Sequence, residues 1–282
     1  MKPAFAKDEA LLADVRRVLA AGERGVWWLG QSGFLVTQKG RALILDPYLS
    51  DSLTRKYADT PKPHVRMTER AVDPAALGRL GVIDVITSSH QHTDHFDVET
   101  LQPLLAANPQ ARLVLPAAIR DFAIERLGTE SAPRLVELDD GKSARVGEMV
   151  FHGIAAAHNT VERDAQGCCR FLGFVVEWAG LTFYHSGDTL MHDGLLPTLR
   201  KFKINLAFLP INGDRPERNV AGNLNGVEAA RLAHAAGIGT VIPCHFDMFE
   251  FNTAPPDEFV AECGKLGQSF RVLRAGEGFC LE

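Results

Sequence analysis

No stretch of this chain approaches the roughly eighteen consecutive apolar residues that a bilayer-crossing helix needs, which excludes a membrane-spanning helix. Its opening, MKPAFAKDEALLADVRRVL, turns acidic at Asp8 and lacks the apolar core of a secretory signal, so a cytoplasmic location is expected. No Lys/Arg run stands out and the net charge is −5, which argues against a polyanion such as nucleic acid as partner. No Ser/Gly/Pro-rich linker interrupts the 282 residues, so one domain over 1–282 is expected. The five cysteines, Cys168, Cys169, Cys244, Cys263 and Cys280, are an odd number with neither zinc nor disulfide spacing, which points to reduced thiols. A bridge between the neighbours Cys168 and Cys169 would be strained. Assembly into a homo-oligomer stays open.

What is present is an α/β alternation. Leu11, Leu12, Val15, Val18 and Leu19 recur at helical spacing and predict a helix over 8–21 closed by Gly22. Three apolar runs broken by glycine, VWWLG (26–30), GFLVTQ (33–38) and RALILD (41–46), read as a strand meander. Residues 47–71 are polar and turn-rich and read as a long surface loop of the kind that carries function. Strands are predicted at 82–89 and 111–116, with a helix capped by Asp97 running to about Ala107 between them and a second helix over 117–127. The second half offers strands at 147–158, 170–180, 181–188, 204–211, 239–246 and 270–274, a turn at Ala179-Gly180, and helices over 226–236 and 257–266. The two halves share element order, which suggests two stacked sheets with helices outside them.

The segment TSSHQHTDHFD stands apart. Within residues 90–97 it places three of the ten histidines and two carboxylates. His90 and His92 lie two apart in a segment leaving a strand, so both imidazoles can reach one cation. Asp94 and His95 follow where the chain bends, aimed at a different point, which suggests two adjacent metal sites. A lone histidine is usually a hydrogen-bonded structural residue; an HxHxDH cluster is not adequately explained that way. Two metals need further ligands, and strand-end residues are the candidates: His158 after AAA, Asp188 in YHSGDT, and His245 in VIPCHF. Asp188, with two oxygens, is the natural bridge between cations about 3.5–4 Å apart. His185 is read either as a partner of the ligands or as a packed core residue, and Cys244 as core. For His64, His152, His192 and His234 a structural role is expected, since no strand-end cluster surrounds them.

HQHTDH with the distant His158, the SGDT aspartate and PCHF resembles the metallo-β-lactamase superfamily of αββα hydrolases, and the likeness runs from GVWWLGQSGFLV to IPCHFDMF. The resemblance implies two mixed sheets between outer helices. It implies one metal on His90, His92 and His158, and a second on Asp94, His95 and His245, with Asp188 between them. It gives Asp46, in LILDPY, the role of supporting the ligands from behind. Antibiotic-degrading members carry cysteine where Asp188 stands, which argues against a β-lactamase. Within the superfamily WLGQSGF, DPYLSDS and FYHSGDT look most like the L-ascorbate-6-phosphate lactonase-like branch.

Residues and resemblance together lead to a hydrolase in which two divalent cations bring the pKa of a water from 15.7 towards about 7. Asp94 is the candidate to orient that water and move its proton. The all-N/O ligand set suits zinc, manganese or iron. The expected substrate is a small-molecule ester or lactone, a phosphorylated sugar lactone among them, with a phosphodiesterase as the alternative and a nuclease or a non-catalytic metal binder behind it. Substrate contacts are expected from 47–71 and 211–223, with Arg215 and Arg218 as candidates to hold a phosphate or carboxylate.

Overall fold

A computed structural model of the chain describes residues 1–218 and 220–281; Asn219, within the segment expected to touch substrate, lies outside them. Fourteen strands form two seven-stranded sheets. The strands are β1 (Arg24–Gly30), β2 (Gly33–Gln38), β3 (Arg41–Leu45), β4 (Ile83–Thr87), β5 (Arg112–Pro116), β6 (Leu135–Leu138), β7 (Ser143–Val146), β8 (Met149–Ala155), β9 (Leu172–Trp178), β10 (Leu181–His185), β11 (Leu206–Pro210), β12 (Thr240–Cys244), β13 (Ser269–Phe270) and β14 (Gly278–Leu281). One sheet runs β14-β1-β2-β3-β4-β5-β6, the other β13-β12-β11-β10-β9-β8-β7. Each begins as an antiparallel meander and continues in parallel: β1 to β3 and then β4 to β6 in one, β7 to β10 and then β11 to β13 in the other. The shared element order of the two halves is therefore a repeated sheet topology.

The helices are α1 (Glu9–Ala21), α2 (Ser52–Lys56), α3 (Pro74–Gly78), α4 (Val98–Ala107), α5 (Arg120–Leu127), α6 (Leu195–Leu199), α7 (Gly226–Ala236) and α8 (Asp257–Leu266). None is long and apolar enough to cross a membrane among the described residues. Alternation along β1 and β2 sorts side chains between two cores. Val26, Trp28, Phe34 and Val36 enter the layer shared with the second sheet, while Trp27, Leu29 and Leu35 pack on the outer helical layer with Leu11, Val15 and Leu104. Both faces of each central strand are covered, so these strands read as unbroken apolar runs rather than alternating ones. Gly22 ends α1 in the left-handed conformation, its N–H reaching the carbonyls of Leu19 and Val18, as the sequence predicts. Ala179 and Gly180, at φ 42° and 83°, make a two-residue hairpin between β9 and β10.

Three expectations need correction. Asp97 stands at the start of α4 but does not cap its backbone; its carboxylate accepts from the hydroxyls of Thr100 (2.5 Å) and Ser52 (3.0 Å), tying α4 to α2. Residues 47–71 are not an open surface loop. They contain α2, and Tyr48 and Leu53 are buried with Met248 and Phe249 in a small cluster of their own. The guanidinium of Arg66 lies over the Tyr48 and Phe249 rings, covering their polar-facing side. The strand expected over 270–274 shrinks to β13, and the final strand, β14, instead crosses to pair with β1. All five cysteines are free, as expected.

Candidate metal centre

Strand ends deliver the cluster. β3, β4, β8, β10 and β12 finish immediately before or within a few residues of Asp46, His90, His158, Asp188 and His245, so residues far apart in sequence converge on one edge of the two sheets. His90, His95, His158, Asp188 and His245 are buried; Asp94 is partly exposed and His92 exposed. Donor atoms of His90, His92 and His158 lie within 4.8 Å of one another, as do those of Asp94, His95 and His245, and those of His90, His95 and Asp188. Asp188 stands between the first two groups: Oδ1 is 3.2 Å from His95 Nε2, and Oδ2 is 3.4 Å from His245 Nε2 and 3.8 Å from His158 Nε2. The structure thus brings together all seven residues that the sequence nominated, in the grouping that the resemblance implied.

The far nitrogens of the rings are fixed from behind. His95 Nδ1–H donates to Asp46 Oδ2 at 2.7 Å, and His158 Nδ1–H to the Gly222 carbonyl at 3.0 Å. His90 Nδ1 lies 3.0 Å from the Ser89 hydroxyl, which itself donates to Asp46. Each contact leaves the Nε2 lone pair facing the cluster. Asp46 is buried and also accepts from Thr87 Oγ1 (2.7 Å) and Ser89 N (3.1 Å), so one carboxylate organises the whole turn from 87 to 95. His185 does not touch the ligand side chains. Its Nε2–H donates to the Ser32 carbonyl (2.8 Å) and its Nδ1 accepts from Gly187 N (3.2 Å), so it holds main chain beside Asp188 and packs on Phe34 and Phe208.

The cluster's electrostatics call for a cation. Burial works to raise the pKa values of Asp94 and Asp188, yet His95 and His245 hold both well below the usual carboxylate range. Burial alone would lower His95 and His245, but the same two carboxylates outweigh it, raising His95 well above its ordinary value and His245 to about 9. Protons on these rings balance the carboxylates as a metal would. Burial, reinforced by its imidazole neighbours, keeps His90 neutral, the ligating form. His90 Nε2 is buried without any hydrogen-bond partner, and His95 Nε2 and Asp188 Oδ1 face each other at 3.2 Å. Once the rings are neutral, the form that ligates, these are three buried acceptors at one point with no donor among them, so the residues fit a metal. Asp46 (φ 38°) and His245 (φ 60°) adopt left-handed backbone with non-glycine side chains, a strain that the surrounding hydrogen bonds sustain.

A family model described as a beta-lactamase superfamily domain matches residues 41–246. The chain belongs to the beta-lactamase superfamily. A relative from Rubrobacter xylanophilus, named a UPF0173 metal-dependent hydrolase, is 29% identical over 91% of this chain and 96% of its own length. Among solved structures, an isothiocyanate hydrolase from Delia radicum gut bacteria superposes with a TM-score of 0.69 at 18% identity, covering 92% of this chain and 99% of that one. Igni18, a metallo hydrolase from Ignicoccus hospitalis, gives 0.66 at 18% identity over 92% and 98%. At such identities these structures speak for the fold alone, and the fold is the expected αββα sandwich.

In this superfamily member the cluster opens into a cavity of about 510 Å³. Leu53, Lys56, Tyr57 and Lys62 line it from the 47–71 segment, as expected, and Arg126 and Phe122 from α5. Arg215 and Arg218 do not line it. Arg215 is exposed. Arg218 is spent on the fold: its guanidinium donates to the carbonyls of Asn212 and Thr253 (both 2.7 Å) and to Asn252 Oδ1 (3.0 Å), pinning one loop to another. His64, assigned a structural role from sequence, lines the cavity with its ring 4.6 Å from that of Tyr57. Sequence reasoning also missed Ser89 and Gln31. Ser89 had a signal, since it directly precedes His90. Gln31 had none: its importance depends on a turn between β1 and β2 meeting the end of β12.

Proposed function

We propose that the chain is a metal-dependent hydrolase of small esters or lactones that carry an anionic group, a sugar-phosphate lactone being the type substrate. The observation that carries the reading is the convergence of three buried ligand atoms, His90 Nε2, His95 Nε2 and Asp188 Oδ1, with the other four candidate ligands. His90, His92 and His158 would hold one divalent ion, Asp94, His95 and His245 a second, and Asp188 would face both; zinc, manganese or iron suits such an N/O set. Such ions supply an ionisable water at neutral pH and polarise the oxygen of the scissile group. The chain does the rest. Asp94, held ionised at the cavity wall, can take the water's proton on a carboxylate oxygen and pass it to the leaving oxygen. Leu53, Phe122 and Phe251 give the cavity apolar lining beside the cluster. Lys56, Lys62 and Arg126 give the rim positive charge, while the carboxylates lining the cavity, Asp94 and Asp188, are both candidate ligands. That pattern favours an anionic substrate over a neutral one.

The test combines elemental analysis with hydrolysis of a lactone, a thioester and bis(p-nitrophenyl) phosphate. Two metals per chain with lactone turnover are expected. Phosphodiester turnover without lactone turnover would refute the substrate class. Less than one tightly held metal, together with a His90→Ala variant of unchanged activity, would refute the metal-dependent mechanism.

A further inference from the structure

We propose that the Gln31 side-chain amide competes with a cation for Asp94 and His245, so that the two metal positions fill in order, the His90/His92/His158 position first. The inference rests on the ligand assignment above. Gln31 is buried at 4% exposure in the turn between β1 and β2. Its amide nitrogen lies 3.0 Å from Asp94 Oδ2 and 3.1 Å from His245 Nε2, the atoms that face the second position. One N–H of the amide is given to Asp94, and the nitrogen lies against the His245 ring, 3.4 Å from its Nδ1 as well. Asp94, held ionised, can only accept, so it fixes the amide with its NH₂ towards the pair.

The two positions differ in this respect. His90 Nε2 has no hydrogen-bond partner, and no amide, hydroxyl or cationic side chain bonds to the Nε2 atoms of His92 or His158 among the described residues. A cation arriving there displaces no side chain. At the second position Gln31 already donates to Asp94 and lies against the His245 ring, so its amide must move aside first. The turn itself cannot easily retreat. Gln31 has φ 49°, its carbonyl accepts from Trp28 Nε1 (3.0 Å) and His245 N (2.9 Å), and the next carbonyl, of Ser32, accepts from His185. Only the side chain is left to swing away.

The competing account is that Gln31 merely positions Asp94 and His245, and the two accounts predict opposite signs. Co²⁺ titration by calorimetry and visible absorption, with elemental analysis after dialysis, distinguishes them in the full chain, Gln31→Leu and Gln31→Glu. In the unsubstituted protein two binding steps are expected, separated by about tenfold or more. Gln31→Leu removes the competing polar atoms and should tighten the weaker step by about tenfold, because bonds to charged groups no longer have to be broken. Gln31→Glu should tighten it as well, by offering a carboxylate in place of the amide. A weaker step that loosens or stays unchanged in Gln31→Leu, in protein that melts like the unsubstituted chain, overturns the inference and leaves the ligand assignment standing. Two indistinguishable steps in the unsubstituted protein overturn it too. Absence of any Co²⁺ binding overturns the ligand assignment as well.

Discussion

Replacing Asp46 by asparagine tests the organisation of the centre without touching a ligand. The carboxylate accepts on both oxygens: Oδ1 from Thr87 Oγ1 and Ser89 N, Oδ2 from His95 Nδ1 and the Ser89 hydroxyl. Burial pushes its pKa up, but the His185 and His95 rings and the hydrogen bonds of His95 and Ser89 outweigh this, so it stays ionised and below the usual carboxylate range. Asparagine keeps the shape and loses one acceptor. Whichever way the amide lies, an NH₂ faces a donor, either His95 Nδ1–H or the Ser89 and Thr87 pair. A hydrogen bond to a charged group contributes roughly 1.5–3 kcal/mol, and its loss frees the His95 ring to rotate. That range corresponds to about 10- to 100-fold in metal affinity, which is also the usual effect of removing a carboxylate behind a ligating histidine. The assay is chelator competition on metal-loaded protein, with circular dichroism to confirm the fold. Metal affinity within about threefold of the unsubstituted chain would refute the claim that Asp46 sets the geometry of His95.

Three further outcomes follow from buried atoms and cavity charge. Tyr184 has a hydroxyl that is buried without a partner, so Tyr184→Phe should stabilise the fold by about 1 kcal/mol, read as a higher urea midpoint at unchanged m-value. A lower midpoint would show that the hydroxyl is satisfied in solution. At Gly187, with φ +59°, an added Cβ would meet Ser89 Cβ at 2.6 Å and the Leu172 carbonyl at 2.8 Å, so Gly187→Ala should lower the melting temperature and the metal content together; a variant with both unchanged would contradict the packing. Lys56→Ala and Arg126→Ala should each reduce the preference in kcat/KM for an anionic over a neutral lactone, together by about tenfold, the worth of one charge-assisted hydrogen bond. An unchanged preference in the double variant would remove the anionic-substrate reading.

Much of this architecture was legible because its signals are local. A glycine-closed amphipathic pattern located α1, and the Ala179-Gly180 pair located the β9–β10 turn, because in each case the backbone conformation demanded a particular residue type. The candidate ligands could be nominated for a related reason: histidines and aspartates at the ends of apolar strands have few structural uses. What escaped was information carried by tertiary contact. Arg218 in a polar loop looked like a substrate contact, yet its fate was decided by carbonyls at Asn212 and Thr253, which no spacing rule brings near it. Of the cations that do line the cavity, Lys56 and Arg126 sit on short helices whose mutual placement no spacing rule gives. β14 escaped because four residues beginning at a glycine gain strand character only from the exposed edge of β1 that they cover. Gln31 belongs to the same class. In sequence it is one glutamine in a turn; in the fold it meets Asp94 and His245, and the order in which this centre takes up metal depends on that meeting.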